Sequence, residues 1–375
     1  MDVEIKKIEV KDETFPYKKI GDLLYKTYFQ GYKDAGALQW NEKYAEIYFN
    51  SWVFPKSKEL IFGAWDGDQL VGLSVGHKEI MMLDNEIELT GSNVGLTAVD
   101  PDYWQNGIAT SLVKTLMDEA KEIGYDAVFS MAQKGKNGRK ILKNLEFEKL
   151  GKHKHMIKIM EKYGVNILKD YRGLSSILAK FAEKLYSNIP EDEVEGTVRE
   201  GKIPEDIPRS LEILNSYVDR VPLARKYKAD IYETDLLGSK KLNDAFGDPW
   251  GLNWFVLELD GKVMANITCR IEITTFENGS APVALLGNLG YDESLSQEQK
   301  NGFLAEIIRY IRKEYPKVFT CQITSLHHEE KVIKNLDFTD DQEKYFFMLY
   351  PITDKAKEIT KRYNKIKDFH LAYYR

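Results

Sequence analysis

The sequence predicts an α/β protein built from two similar domains in tandem. Three observations predict it. The chain has 375 residues, enough for two hydrophobic cores of ordinary size. Residues Asn93 to Gly124, NVGLTAVDPDYWQNGIATSLVKTLMDEAKEIG, read as one strand, turn and helix unit. The pattern of the first half then returns, in order, in the second.

In chain order, Val3 to Val10 alternates as a strand does. Lys18 to Tyr32 carries Ile20, Leu23, Leu24, Thr27 and Tyr28 at helical spacing. Aromatic residues crowd the next stretch: Tyr25, Tyr28, Phe29, Tyr32, Trp40, Tyr44, Tyr48, Phe49, Trp52 and Phe54. They serve either as core and interface packing or as walls for an ammonium or an acyl chain. Leu60 to Ala64, the turn Asp66-Gly67-Asp68 and Leu70 to Gly76 read as a β-hairpin. Glu86 to Thr90 and Val94 to Val99 continue the sheet, with Glu86 and Glu88 on one face, either solvated or turned to an acceptor.

The unit at Asn93 is central. Its extended run breaks at Asp100-Pro101, and Gly107-Ile108-Ala109 opens a helix that Gly124 ends. Ile108, Leu112, Val113, Leu116, Ala120 and Ile123 fall on one helix face, with Lys114, Asp118, Lys121 and Glu122 opposite. The first turn of a helix leaves its N–H groups unpaired and holds the positive end of the macrodipole. Gly107 and Ala109 keep side chains away from those groups, so the turn suits a phosphate or pyrophosphate. It carries neither a P-loop lysine nor the GxGxxG spacing, which disfavours both of those nucleotide-binding patterns.

At these residues the sequence resembles the GNAT superfamily of acyl-CoA-dependent N-acyltransferases. The family motif is Gln/Arg-x-x-Gly-x-Gly/Ala after a strand ending near a proline. Here Val99-Asp100-Pro101-Asp102-Tyr103 precedes Trp104-Gln105-Asn106-Gly107-Ile108-Ala109, with Trp104 in the Gln/Arg position and Gln105 one residue late. The resemblance implies a mixed, mostly antiparallel twisted sheet flanked by helices in each domain. It also implies acetyl-CoA or another acyl-CoA as cosubstrate. The diphosphate is expected on the amides of Gln105, Asn106, Gly107, Ile108, Ala109 and Thr110, and pantetheine along Leu96, Thr97, Ala98 and Val99.

Ala127 to Met131 reads as a buried strand and Asn137 to Leu145 as a short helix leading to Phe147, like the second conserved block of the family. Asn137 is either a partner of the pantetheine arm or a helix N-cap. The family's frequent tyrosine acid and glutamate base fall at Leu142 and near Asn93, neither of which transfers protons, so acid and base stay unassigned. His153 and His155 alternate with Lys152 and Lys154 and read as a solvated face.

Four echoes link the halves. The hairpin Phe62-Gly63-Ala64-Trp65-Asp66-Gly67 returns as Val256-Leu257-Glu258-Leu259-Asp260-Gly261, Asn106-Gly107 as Asn301-Gly302, and Val128-Phe129-Ser130 as Val318-Phe319-Thr320. Ile141-Leu142-Lys143-Asn144-Leu145-Glu146-Phe147 returns as Val332-Ile333-Lys334-Asn335-Leu336-Asp337-Phe338. This is an internal duplication. The second copy reads as degenerate, because its turn bears Glu298 and Leu304 stands at the place of Ala109. The expected division is residues 1–162 as a GNAT-like acyl-CoA-binding N-acyltransferase domain, 163–192 as a helical connector, 193–352 as a degenerate GNAT-like domain that walls the acceptor pocket, and 353–375 as a helical tail. In some tandem members the terminal carboxylate is the base, which makes Tyr374 and Arg375 candidates.

Composition sets the remaining limits. Lys and Arg number 53 against 59 Asp and Glu, a formal charge of −6, which disfavours a nucleic-acid partner. Cys269 and Cys321 are too few for a disulfide framework or a zinc cage and fit a reducing cytoplasm. No bound metal and no membrane span are expected. The function expected is transfer of an acetyl or other acyl group from acyl-CoA to a small-molecule or peptide amine. The alternative is a non-catalytic acyl-CoA-binding regulatory protein.

Overall fold

The structure, a computed structural model, describes residues 2–10, 14–32, 36–56, 58–160, 194–247, 250–324, 329–362 and 369–370. The first half runs β1 (Glu4–Lys7), α1 (Tyr17–Tyr32), β2 (Ala37–Leu38), α2 (Glu42–Tyr48), β3 (Ile61–Asp66), β4 (Gln69–Leu83), β5 (Ile87–Val99), α3 (Ile108–Ile123), β6 (Ala127–Gln133), α4 (Asn137–Asn144) and β7 (Glu148–Ile159). The second runs β8 (Thr197–Glu200), α5 (Ile207–Asn215), β9 (Leu223–Arg225), α6 (Ala229–Phe246), β10 (Gly251–Leu259), β11 (Lys262–Phe276), β12 (Gly279–Tyr291), α7 (Gln297–Glu314), β13 (Thr320–Thr324), α8 (Glu330–Asn335) and β14 (Thr339–Pro351), followed by α9 (Asp354–Arg362) and β15 (Phe369–His370). Hairpin, long strand, long helix, strand, short helix and strand thus occur twice in the same order, as the sequence echoes imply.

Among the described residues the strands form one mixed sheet with the path β1-β3-β4-β5-β6-β14-β7-β13-β12-β11-β10-β8. Most neighbours are antiparallel; β5 with β6, β12 with β13 and β15 with β9 are parallel. The final strands of the two copies are exchanged. β14 pairs with β6 along its length, and β7 pairs with β13. Packing fixes the exchange. Phe346 and Met348 of β14 lie in the core under α3, while Met156 of β7 lies in the core under α7. Where β6 meets β14, the rings of Phe129 and Phe347 stack at 5.8 Å, both buried.

The structure corrects several sequence expectations. β5 is one continuous strand rather than two, bent by a bulge where the register with β4 shifts between Val75 and Gly76. Glu86 sits in the turn before it, and Glu88 is a solvated partner of Lys226 at 2.9 Å. Ile123 is 40% exposed and Met117 takes its place in the core. His155 is buried, because β7 lies inside the continuous sheet rather than at a wet edge. Lys158, on the same strand, donates to the Leu336 carbonyl at 2.8 Å, and burial pulls its ammonium down to about 8. Asn301-Gly302 lies within α7 rather than before it, and Leu304 is a core residue beneath that helix. The tail helix is described over Asp354–Arg362, and Phe369–His370 pairs with β9 as a strand. The expected connector lies outside the described residues.

Phe129→Ala removes a fully buried ring at the exchange point, and its expected cost is about 3–5 kcal/mol in urea unfolding. A cost below about 1 kcal/mol would show that β14 does not depend on this contact.

Candidate active site

The N-terminus of α3 is built for close approach. Asp100 caps the short turn Pro101–Tyr103 by accepting the Asp102 N–H at 3.0 Å, and Lys26 of α1 holds both carboxylates at 2.7 Å. The chain then turns sharply, with Gln105 at φ +69° and Gly107 at φ +77°. That left-handed geometry suits glycine. Gly107 occupies the N-cap position, no side chain caps the helix, and a Cβ at Gly107 would meet nothing within 4 Å. The amides of Ile108, Ala109 and Thr110 therefore face open space under the positive end of the helix dipole. Asn106 turns back to the Tyr103 carbonyl at 3.2 Å.

Beside this turn the sheet opens. β5 and β6 pair only at Gly91 with Ala127, Ser92 with Val128 and Asn93 with Phe129. Beyond that point β5 runs on to Val99 and β6 to Gln133 without pairing, β6 being bonded on its other edge to β14. The Asp100 N–H donates to Val71 on the β4 side, so the two-residue period turns the main-chain groups of Val99 and Thr97 to the open edge and those of Leu96 and Ala98 to β4. The Val99 carbonyl is already taken, by the indole N–H of Trp104 at 2.7 Å and the Thr27 hydroxyl at 3.1 Å. Trp104, in the motif position usually held by Gln or Arg, thus braces the end of the strand. Of the sequence-predicted cofactor residues, Leu96 and Thr97 line the cavity described next. Asn137 is the first residue of α4, whose N-cap is Lys136, and it is exposed and not among the residues lining that cavity. Tyr374 and Arg375 lie outside the described residues.

The opening leads into a cavity of about 460 Å³ between the two halves. The first half contributes Tyr44, Tyr48, Trp52, His77, Glu79 and Asn93, and the second Arg225, Asp235, Arg270, Glu272, Phe276 and Phe319. The early aromatics divide. Trp40, Tyr44, Tyr48 and Trp52 line the cavity, whereas Phe49 and Phe54 fill the core behind them. One ion pair, Lys56 with Asp235, and one hydrogen bond, Tyr44 with Glu272, tie the halves together here. Glu272 lies 2.6 Å from the Arg270 guanidinium and accepts the Tyr44 hydroxyl at 3.1 Å, and Lys56 lies 3.0 Å from Asp235. Burial raises the Glu272 carboxyl, against the opposing pull of Arg270 and Tyr44. Burial, with the charges of Lys56 and Arg225, pulls the His77 imidazole down to about 3, so it is neutral at physiological pH.

Sequence reasoning missed His77, Glu79, Arg270 and Glu272. Their signal was present as charged and polar residues set within long apolar strands, GLSVGHKEIMML and ITCRIEI. It also missed the basic rim of α4, where Lys136 donates to the Gly31 carbonyl at 3.0 Å and Arg139 lies over the Phe346 ring at 4.2 Å.

In the second copy, among the described residues, β12 pairs with β13 from Val283 to Leu286, and Tyr217 lies against the end of β12: its hydroxyl accepts the Tyr291 N–H at 3.1 Å and donates to Glu329 at 2.8 Å. α7 is closed by a capping box, in which Ser296 accepts the Gln299 N–H and the Gln299 side chain accepts the Ser296 N–H. The first-turn amides of α7 thus meet a side-chain cap, and Leu304 lies in the core rather than at that helix end.

Residues 20–140 match the acetyltransferase (GNAT) family. In structure the chain is similar to an N-myristoyltransferase from Saccharomyces cerevisiae with bound myristoyl-CoA, at 11% identity and a TM-score of 0.74, covering 93% of this chain and 82% of that one. It is also similar to a GCN5-related N-acetyltransferase from Anabaena variabilis, at 12% identity and a TM-score of 0.57, covering 94% and 73%. No curated protein matches the sequence. The bare N-terminus of α3 and the opened sheet both lie within the matched segment. The family match is confined to the first half, and over both halves the chain has the fold of that N-myristoyltransferase.

Gly107→Glu sets a carboxylate in front of the bare amides and is expected to weaken acyl-CoA binding roughly tenfold or more in calorimetry. Gly107→Ala, which carries the same backbone strain without the charge, should retain most of the affinity. Equal binding by Gly107→Glu and the parent would remove α3 from the site.

Proposed function

We propose that this protein transfers an acyl group, acetyl or longer, from acyl-CoA to an amine held in the cavity between its halves. The observation that carries the proposal is the parting of β5 from β6 beyond Asn93, which joins the bare N-terminus of α3 to that cavity. The diphosphate rests on the amides from Gln105 to Thr110, with Lys136 and Arg139 adding positive charge at the rim. Pantetheine adds to the open edge through the main-chain groups of Thr97 and the N–H of Val99.

In the reaction the amine nitrogen bonds to the thioester carbonyl carbon, the carbon–sulfur bond breaks, and the thiolate leaves with a proton. The balance is amine plus acyl-CoA giving amide plus CoA thiol. A main-chain N–H on the open edge polarises the carbonyl, and holding both reactants together supplies much of the acceleration. Residues 1–162 bind the donor, and 193–352 keep the fold and wall the acceptor side.

The test is release of free thiol from acetyl-CoA and longer acyl-CoAs across a panel of small amines and peptides. Amine-dependent release that disappears in Gly107→Glu supports the proposal. Tight acyl-CoA binding without release for any acceptor would make the protein a binder instead.

A further inference from the structure

His77 and Glu79 lie two residues apart on β4, so their side chains share a face. Both line the cavity, at 8% and 5% exposure. Each carries an atom with no hydrogen-bond partner among the described residues, Nε2 of His77 and Oε2 of Glu79. Such buried atoms are costly when left unmatched, and in folded proteins they are nearly always matched, by protein, by ordered water or by a bound molecule. The other carboxylates of the cavity have protein cations beside them: Glu272 has Arg270 and Asp235 has Lys56.

We propose that Glu79 and His77 form the seat of the acceptor amine, and that the acceptor is a primary alkylamine arriving as its ammonium. The proposal rests on the acyl-transfer function above and names the groups that hold the nucleophile. An ammonium brings three N–H donors. One goes to the Glu79 carboxylate and one to Nε2 of His77, which accepts in the tautomer protonated at Nδ1. The third proton passes to water before attack, exposing the lone pair, so that ammonium plus acyl-CoA gives amide, CoA thiol and one proton. The neutrality of the buried imidazole leaves Nε2 available for this role. Tyr48, whose ring centre lies 6.3 Å from that of His77, adds an aromatic wall that favours a cation.

Position supports the assignment as well as chemistry. His77 pairs with Asn93 of β5, the last residue joined to β6. A Cβ at Gly95, in the bulge, would lie 3.0 Å from His77 Nε2. The seat therefore adjoins the start of the open edge, where the thioester is expected. A glycine at the bulge keeps the space between them clear.

The experiment uses the full chain, acetyl-CoA and n-butylamine, with n-butanol as the uncharged control. Glu79→Gln is expected to raise the KM for n-butylamine roughly tenfold or more, as loss of a buried charge partner does, with kcat changed less than about threefold and acyl-CoA affinity unchanged. Glu79→Asp should recover part of the loss, and His77→Leu should raise the same KM. An unchanged KM in Glu79→Gln, with acyl-CoA still bound, overturns the seat. Failure of the parent protein to bind acyl-CoA would instead overturn the acyl-transfer function. If n-butylamine is not turned over, calorimetric binding of n-butylammonium decides: weaker binding in Glu79→Gln supports the seat, and equal or absent binding in the parent overturns it.

Discussion

The structure depends on one departure from regular pairing, the separation of β5 and β6 after Asn93. A strand edge inside a protein normally finds a partner, because unpaired main-chain groups away from water are costly. β6 has that partner in β14 on its far side, so it does not need β5 over its whole length. β5 keeps its own register through β4. The open edge is thus allowed by the exchange of β7 and β14, and the feature that binds the two halves also leaves the cavity open between them.

The two copies differ in how the main-chain groups at the central helix and strand are satisfied. In the first, a glycine cap leaves helix amides bare, and Trp104 and Thr27 satisfy only the last carbonyl of the strand. In the second, Tyr217, held by Glu329, meets the end of the strand, and Ser296 and Gln299 cap the helix. No large rearrangement is needed for this difference. A few polar side chains placed at the strand end and at the helix end suffice. The second half is thereby free to present β11 and β13 as the far wall of the cavity.

Much of this was legible in the chain. The duplication showed because hairpin turns and the Lys-Asn-Leu-acid-Phe block are local signals. The helix mouth showed because Gly107 and Ala109 act through their own backbone. The far side of the cavity was not legible, since it is assembled from β4, β9, β11 and the helices before them, and period-two alternation names two faces without saying which turns inward. His155 was misjudged for that reason. The same limit hid His77 and Glu79, although two polar residues in an apolar strand were a usable sign. Leu304 was misplaced because aligning Asn301-Gly302 with Asn106-Gly107 set the start of α7 several residues late.

The central claim is that one helix mouth and one strand edge, both in the first copy, receive the donor. Amide hydrogen exchange with and without acyl-CoA tests it most directly. The account predicts new protection at Ile108, Ala109, Thr110 and Thr97, and none at the start of α7. Protection at α7, or no change at the α3 mouth while acyl-CoA is bound, would contradict it.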